Sequence, residues 1–99
     1  MIPRNLTFNV ERTWKPSAGG TFFMSDHAMK RMFARSLSAE TIHRALRHGK
    51  PSYGDNVRIY RVGKKQVAYL GRKLREAEGV QVTSDHGGTV VTVYRSNDF

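Results

Sequence analysis

Ser25-Asp26-His27-Ala28-Met29-Lys30-Arg31-Met32-Phe33-Ala34-Arg35-Ser36-Leu37-Ser38-Ala39-Glu40-Thr41-Ile42 holds two helix starts and the link between them. Ser25 or Asp26 can cap a first helix that runs to about Arg35, because a short oxygen-bearing side chain satisfies the unpaired N–H groups of a first turn. Ser36–Leu37 is a short link, and Ser38 caps a second helix that ends near His48. Gly49 stops that helix and Pro51 lies behind it. On a 100° wheel Ala28, Met29, Met32 and Phe33 form the core arc of the first helix, and Ala39, Ile42, Ala45 and Leu46 that of the second.

Downstream the periodicity changes from helical to alternating. Arg58–Val62 reads as a strand, Gly63-Lys64-Lys65 as a tight turn, and Gln66–Leu70 as the returning strand. Arg72–Glu78 is polar and reads as a loop or a single helical turn. Val80–Thr83 follows as a strand, Asp85-His86-Gly87-Gly88 as a hairpin turn, and Thr89–Tyr94 as the most β-prone strand. Two helices before an antiparallel meander predict an α+β domain with both helices packed on a four-stranded sheet. Upstream, Leu6, Phe8 and Val10 alternate with polar residues and predict one extra strand, while Lys15–Gly20 reads as a loop. The expected organisation is an N-terminal extension over 1–23 and a single α+β domain over 24–99.

The chain has 99 residues, so its core is modest: a domain of this size buries roughly 60–65% of its unfolded surface. Seventeen Lys and Arg against eight Asp and Glu give a formal net charge of +9. That excess favours a polyanionic partner, nucleic acid before an anionic membrane surface. Cysteine is absent, which excludes disulfides, thiol nucleophiles and thiolate-held zinc. No apolar run approaches the ~18 residues of a membrane span, and the N-terminus lacks the apolar stretch of a signal peptide; a cytoplasmic site of action is expected, with delivery as part of a larger secreted toxin as the route for any export.

The charge is concentrated. Between Asn56 and Arg75 stand Arg58, Arg61, Lys64, Lys65, Arg72, Lys73 and Arg75, with no acid among them. On the first helix His27, Arg31 and Arg35 follow at i, i+4 and i+8 and stack as one stripe, bordered by Lys30. Arginine holds phosphate bidentately and histidine moves a proton near neutral pH, so the stripe fits a phosphate clamp with a proton-transfer group; it equally fits a solvated basic face. His43, Arg44, Arg47 and His48 lie outside the apolar stripe of the second helix and read as solvated surface. His43 and His48 are five apart with no carboxylate cluster, so no metal site is expected. Tyr60, Thr92 and Tyr94 share the alternation of a sheet face; if that face is open they can stack bases beside Arg58, Arg61, Lys64, Lys65, Arg72 and Lys73, and otherwise they pack at a sheet edge.

The segment Ser-Asp-His27-Ala-Met-Lys-Arg31-Met-Phe-Ala-Arg35-Ser-Leu-Ser38-Ala-Glu-Thr-Ile42 resembles the His-Ala-x-x-Arg-Met-x-x-Arg-Gly-Ile-Ser-x-x-x-Ile opening of a bacterial family of small domains of unknown function. The close, Val90-Val91-Thr92-Val93-Tyr94, is similar to that family's terminal Val-Val-Thr-Val-Tyr strand, and Val57–Val62 fits its Arg-x-Tyr strand more loosely. The likeness covers roughly Met24 to Arg95. Ser36 departs from the family's glycine, and Arg72–Glu78 is longer. The family is placed in the barnase–EndoU–colicin–RelE group of folds, rich in metal-independent RNases that serve as toxins. The resemblance therefore implies a helix-on-sheet fold of the RelE or barnase kind, no cofactor, and His27, Arg31, Arg35, Thr92 and Tyr94 as the motif positions.

The expected reaction is endonucleolytic RNA cleavage, in which the 2′-hydroxyl attacks the adjacent phosphate. His27 would transfer protons, Arg31 and Arg35 would stabilise the phosphorane, and Thr92 and Tyr94 would orient the phosphate or stack a base. RNA is the expected partner, with an acidic antitoxin or immunity protein covering the cationic run. The alternatives are a non-catalytic RNA- or DNA-binding module and a protein that binds an acidic protein.

Overall fold

The computed structural model describes residues 6–12 and 19–96, with the side chains of Leu70, Arg72 and Lys73 excepted. Among these residues ten elements follow in chain order: β1 (Thr7–Val10), β2 (Gly20–Met24), α1 (Asp26–Ala34), α2 (Ala39–His48), β3 (Lys50–Gly54), β4 (Val57–Arg61), α3 (Lys64–Leu70), a 3-10 helix (Arg72–Ala77), β5 (Val80–Asp85) and β6 (Thr89–Arg95). The domain is α+β, but its sheet has six strands in the order β1-β2-β6-β5-β4-β3, not four. All neighbours are antiparallel except β2 and β6. Strands β1 and β2, from the segment read as an extension, pair into the same sheet. The expected loop at Lys15–Gly20 falls mostly outside the described residues; Gly20 opens β2.

Both helix starts form at the expected serines. Ser25 Oγ accepts the Ala28 N–H at 3.0 Å and Ser38 Oγ accepts that of Thr41 at 3.0 Å, each removing one unpaired donor of a first turn. Ala28, Met29 and Met32 are buried from α1, and Ile42, Ala45 and Leu46 from α2. They meet Phe8, Val10, Phe22, Met24, Tyr60, Val62, Val82, Val90 and Val93 on one sheet face. Phe33, expected in that core, is 53% exposed instead, and Ala39 is only partly buried. Phe33 stands in the last turn of α1, just before the chain swings away through Ser36.

That swing bears on the link between the helices. Ser36 has φ of 54°, in the left-handed region, and its N–H bonds the Phe33 carbonyl at 3.2 Å. An L-residue there costs about 1–2 kcal/mol, against roughly 0.5–1 kcal/mol of extra chain entropy lost by a glycine. Ser36→Gly is expected to raise stability by about 0.5 kcal/mol, read as a higher urea midpoint; a lower midpoint would show that the serine contributes more than its strain.

Three further differences have local causes. The returning strand expected at Gln66–Leu70 is helix α3. Lys, Gln, Ala and Leu favour helix, the Gln66 side chain accepts the Gly63 N–H at 2.8 Å, and Val67 packs against the core. The partner of β4 is β3, which carries Pro51 opposite Tyr60; proline is tolerated because β3 is an edge strand. Finally, β6 contains a bulge: Thr83 pairs with Thr92 but Ser84 with Val90, leaving Val91 as the extra residue. The bulge shifts the alternation by one, so Val90 and Val93 both face the core while Thr92 and Tyr94 stay half-buried on the other side.

Gly88 in the β5–β6 turn is required where it stands. Its φ is 93°, its carbonyl accepts the Phe23 N–H at 2.8 Å, and a Cβ there would collide with the Thr21 carbonyl. This close approach brings β2 alongside β6, and α1, which follows β2 directly, packs against β6.

Candidate nucleic-acid interface

Helix α1 carries the His27–Arg31–Arg35 stripe outward because its other side is locked by Ala28, Met29 and Met32. All three members of the stripe are exposed. Arg31 Nε donates to His27 Nε2 at 3.4 Å, a long bond between side chains one turn apart. In this bond Nε2 of His27 is the acceptor, which leaves Nδ1 facing away from the guanidinium. Arg35 is the C-cap of α1, and its N–H closes on the Arg31 carbonyl at 3.0 Å.

The sheet residues form rows across the strands on the face opposite the core. Thr92 lies in one row with Thr83 and Ile59, and Tyr94 in the next with Gln81 and Arg61. Arg61 Nε donates to Gln81 Oε1 at 2.7 Å, which ties the Arg61 stem to the middle of the second row. Tyr94 and Arg61, which are distant in sequence, therefore stand two strands apart on one surface. Lys64 and Lys65 are exposed on the first turn of α3. Arg72 and Lys73 belong to the 3-10 helix, and their side chains lie outside the described ones.

Tyr60 does not belong to this surface. It is 0% exposed, and its ring meets Phe22 edge-on with centroids 5.6 Å apart. No ring face remains for a base. Burial pushes the Tyr60 hydroxyl above its ordinary pKa, opposed by a hydrogen bond from Arg58 and by the nearby Arg12. Arg58 is thus engaged with a core residue, on the sheet face opposite Arg61. The acid-free run of the sequence is divided between two sheet faces and a helix.

Two groups were not singled out by the sequence. The first is Arg12, just beyond β1 and only 4% exposed. Its guanidinium donates to the Leu46 and Gly49 carbonyls, both at 2.6 Å, and lies 5.4 Å from the centre of the Tyr60 ring. It caps the C-terminus of α2, where unpaired carbonyls and the helix dipole favour a cation. Burial lowers its pKa from the ordinary arginine range.

The second is a cleft beneath α2, lined by Asn9, Glu11, His43 and Arg47. The His43 ring stacks on Phe8 at 5.6 Å and 18°, and its Nε2–H donates to the Asn9 carbonyl at 3.3 Å. Next to it, His48 has its pKa lowered, first by burial and then by Arg47, Arg12, His43 and Arg44. The only sequence signal for this cleft was the i, i+4 spacing of His43 and Arg47; Glu11 joins them through packing between β1 and α2.

Among the described residues no group of three or more His, Asp or Glu is placed to hold a metal ion, and no helix is long and apolar enough to cross a membrane. No protein-family model matches the chain, and no curated protein or solved structure does either.

Proposed function

We propose that this domain is a metal-independent endoribonuclease acting as a bacterial toxin in the cytoplasm. The observation that carries the reading is the Arg31–His27 pair on an exposed helix face, with Arg35 at the end of the same stripe. Two arginines supply phosphate ligands, and an imidazole beside them can exchange a proton. The net charge of +9 supports a polyanionic substrate, and the resemblance of the α1 motif to a family in the RelE and barnase group supports RNA. Thr92 and Tyr94 stand on the sheet face away from α1, so we assign them to a base or phosphate elsewhere along the strand and not to the phosphate at His27. An acidic antitoxin or immunity protein is the partner that such a charge would recruit.

The test is cleavage of RNA by the purified chain in EDTA. Fragments ending in a 2′,3′-cyclic phosphate and a 5′-hydroxyl are the expected products. RNA left intact over prolonged incubation would overturn the reading. The second reading is a non-catalytic RNA- or DNA-binding module. One feature favours it: the stripe lies on an open helix surface, whereas in-line cleavage needs two proton movements in a site that limits water. A binder would express without a neutralising partner, and a nuclease toxin would not.

A further inference from the structure

The cleft lined by Asn9, Glu11, His43 and Arg47 has a volume of ≈ 190 Å³. Pockets that enclose a whole small ligand run to ~300–1,000 Å³, so this one suits a fragment of a longer molecule. Its lining combines a carboxylate, an imidazole, a guanidinium and the backbone carbonyl of Asn9. We propose that this cleft holds one phosphodiester of RNA and is where the strand is cut. Arg47 binds the phosphate, and Glu11 and His43 form the proton-transfer pair. The inference rests on the RNA-cleavage reading and moves its proton transfers from α1 to the cleft, leaving His27, Arg31 and Arg35 to bind the strand.

Glu11 is a carboxylate without a structural duty. Glu40 and Glu76 reach Arg44 at 2.6 and 3.6 Å, Asp26 lies in the first turn of α1, and Asp85 accepts the Thr89 N–H at 2.8 Å. Among the described residues Glu11 makes no ion pair, although it shares the cleft with Arg47. Arg47 is likewise unpaired among the described residues and exposed, in contrast to Arg44. In a protein of net charge +9, an unpaired carboxylate beside a histidine and an arginine is placed against the general trend of the surface.

His43 is oriented for the task. Stacking on Phe8 fixes its ring plane, and the Asn9 carbonyl can only accept, so Nε2 carries the proton and Nδ1 is the nitrogen available for exchange. In the step, Glu11 takes the proton of the 2′-hydroxyl, and the O2′–P bond forms as the P–O5′ bond breaks. Imidazolium His43 gives its Nδ1 proton to the departing O5′. Arg47 neutralises the charge that gathers on the phosphorane oxygens. The products are a 2′,3′-cyclic phosphate and a 5′-hydroxyl, and no external reagent is consumed.

The experiment measures kcat and KM of the full chain on an oligoribonucleotide in EDTA, alongside Glu11→Gln, His43→Ala, Arg47→Ala and His27→Ala. Glu11→Gln and His43→Ala are expected to lower kcat by about 100-fold or more, the scale of a lost acid or base. Arg47→Ala lowers kcat/KM, and His27→Ala acts mainly through KM. Circular dichroism melts accompany each variant. Because His43→Ala removes a ring stacked on Phe8, the exposed Glu11→Gln decides the outcome if His43→Ala is unfolded. Wild-type cleavage with Glu11→Gln at an unchanged kcat overturns the cleft and leaves the nuclease reading standing. A collapse of kcat in His27→Ala alone does the same. A wild-type chain that does not cleave RNA overturns both.

Discussion

Arg12→Ala is expected to destabilise the domain by about 3 kcal/mol, the sum expected for losing two buried hydrogen bonds to a charged donor. Three effects act in the same direction. The Leu46 and Gly49 carbonyls lose their 2.6 Å donors at the end of α2. The Tyr60 ring loses the guanidinium stacked 5.4 Å from its centre. A space also opens between β1, α2 and β4, where Arg12 is 4% exposed. No carboxylate partner is left stranded, which keeps the loss below the worst cases of broken buried ion pairs. At ~4–8 °C per kcal/mol for a domain of this size, the melting temperature falls by roughly 12–24 °C. Arg12→Lys should recover only part of this, since an ammonium cannot reach both carbonyls as a planar fork does. Thermal and urea melts of the two variants check it. A loss under ~1 kcal/mol in Arg12→Ala would mean that water satisfies the end of α2 unaided.

Arg12 illustrates what one-dimensional reading leaves out. Its type and position predict a surface cation, and only the approach of β1 to α2 buries it. The features that depend on local chemistry were legible: the caps at Ser25 and Ser38, the end of α2 at Gly49, and the apolar arcs of both helices apart from Phe33 and the partly buried Ala39. Features set by long-range pairing were not. Lys50–Gly54 is half-exposed to exposed and contains proline, so nothing local marks it as a strand until β4 is beside it. Gln66–Leu70 alternates enough to pass for a strand behind a Gly63-Lys64-Lys65 turn, and the helix over Lys64–Leu70 is decided by Gly63 and Gln66 at its start. The bulge at Val91 reverses the face of half a strand without any glycine to announce it.

The candidate site divides along the same line. The His27–Arg31–Arg35 stripe lies on a single helix, so spacing alone sufficed to align it, and Arg31 does meet His27. Period two cannot say which face is covered, so it leaves Tyr60 between a base-stacking surface and a sheet edge, and Tyr60 lies in the core instead. Its burial follows from the packing of Phe22 on one side and Arg12 on the other. The Glu11–His43–Arg47 cleft was out of reach for the opposite reason, since Glu11 follows β1 while His43 and Arg47 lie on α2, and they approach only once Phe8 docks under His43.

RNA affinity is expected to fall steeply with salt, by an amount that counts the cations in use. Each phosphate neutralised on a single strand contributes about −0.7 to the slope of log affinity against log salt. If Arg31, Arg35, Arg47, Lys64 and Lys65 each hold one phosphate, the slope is about −3.5, and affinity drops roughly 130-fold between about 50 and 200 mM salt. Inactive protein must be used if the chain cleaves, and Glu11→Gln serves because it leaves these cations in place. Removing Lys64 and Lys65 together should shallow the slope by about 1.4, and Arg35→Ala by about 0.7. His27→Ala should weaken binding at every salt concentration with little change of slope, because His27 acts by holding Arg31 and is not counted among the phosphate-neutralising cations. An unchanged slope in the double lysine variant would remove α3 from the path of the strand, and the bound RNA would then run from α1 toward the cleft under α2. Filter binding across a salt series, with the same oligoribonucleotide throughout, separates these paths without requiring that the strand be cut.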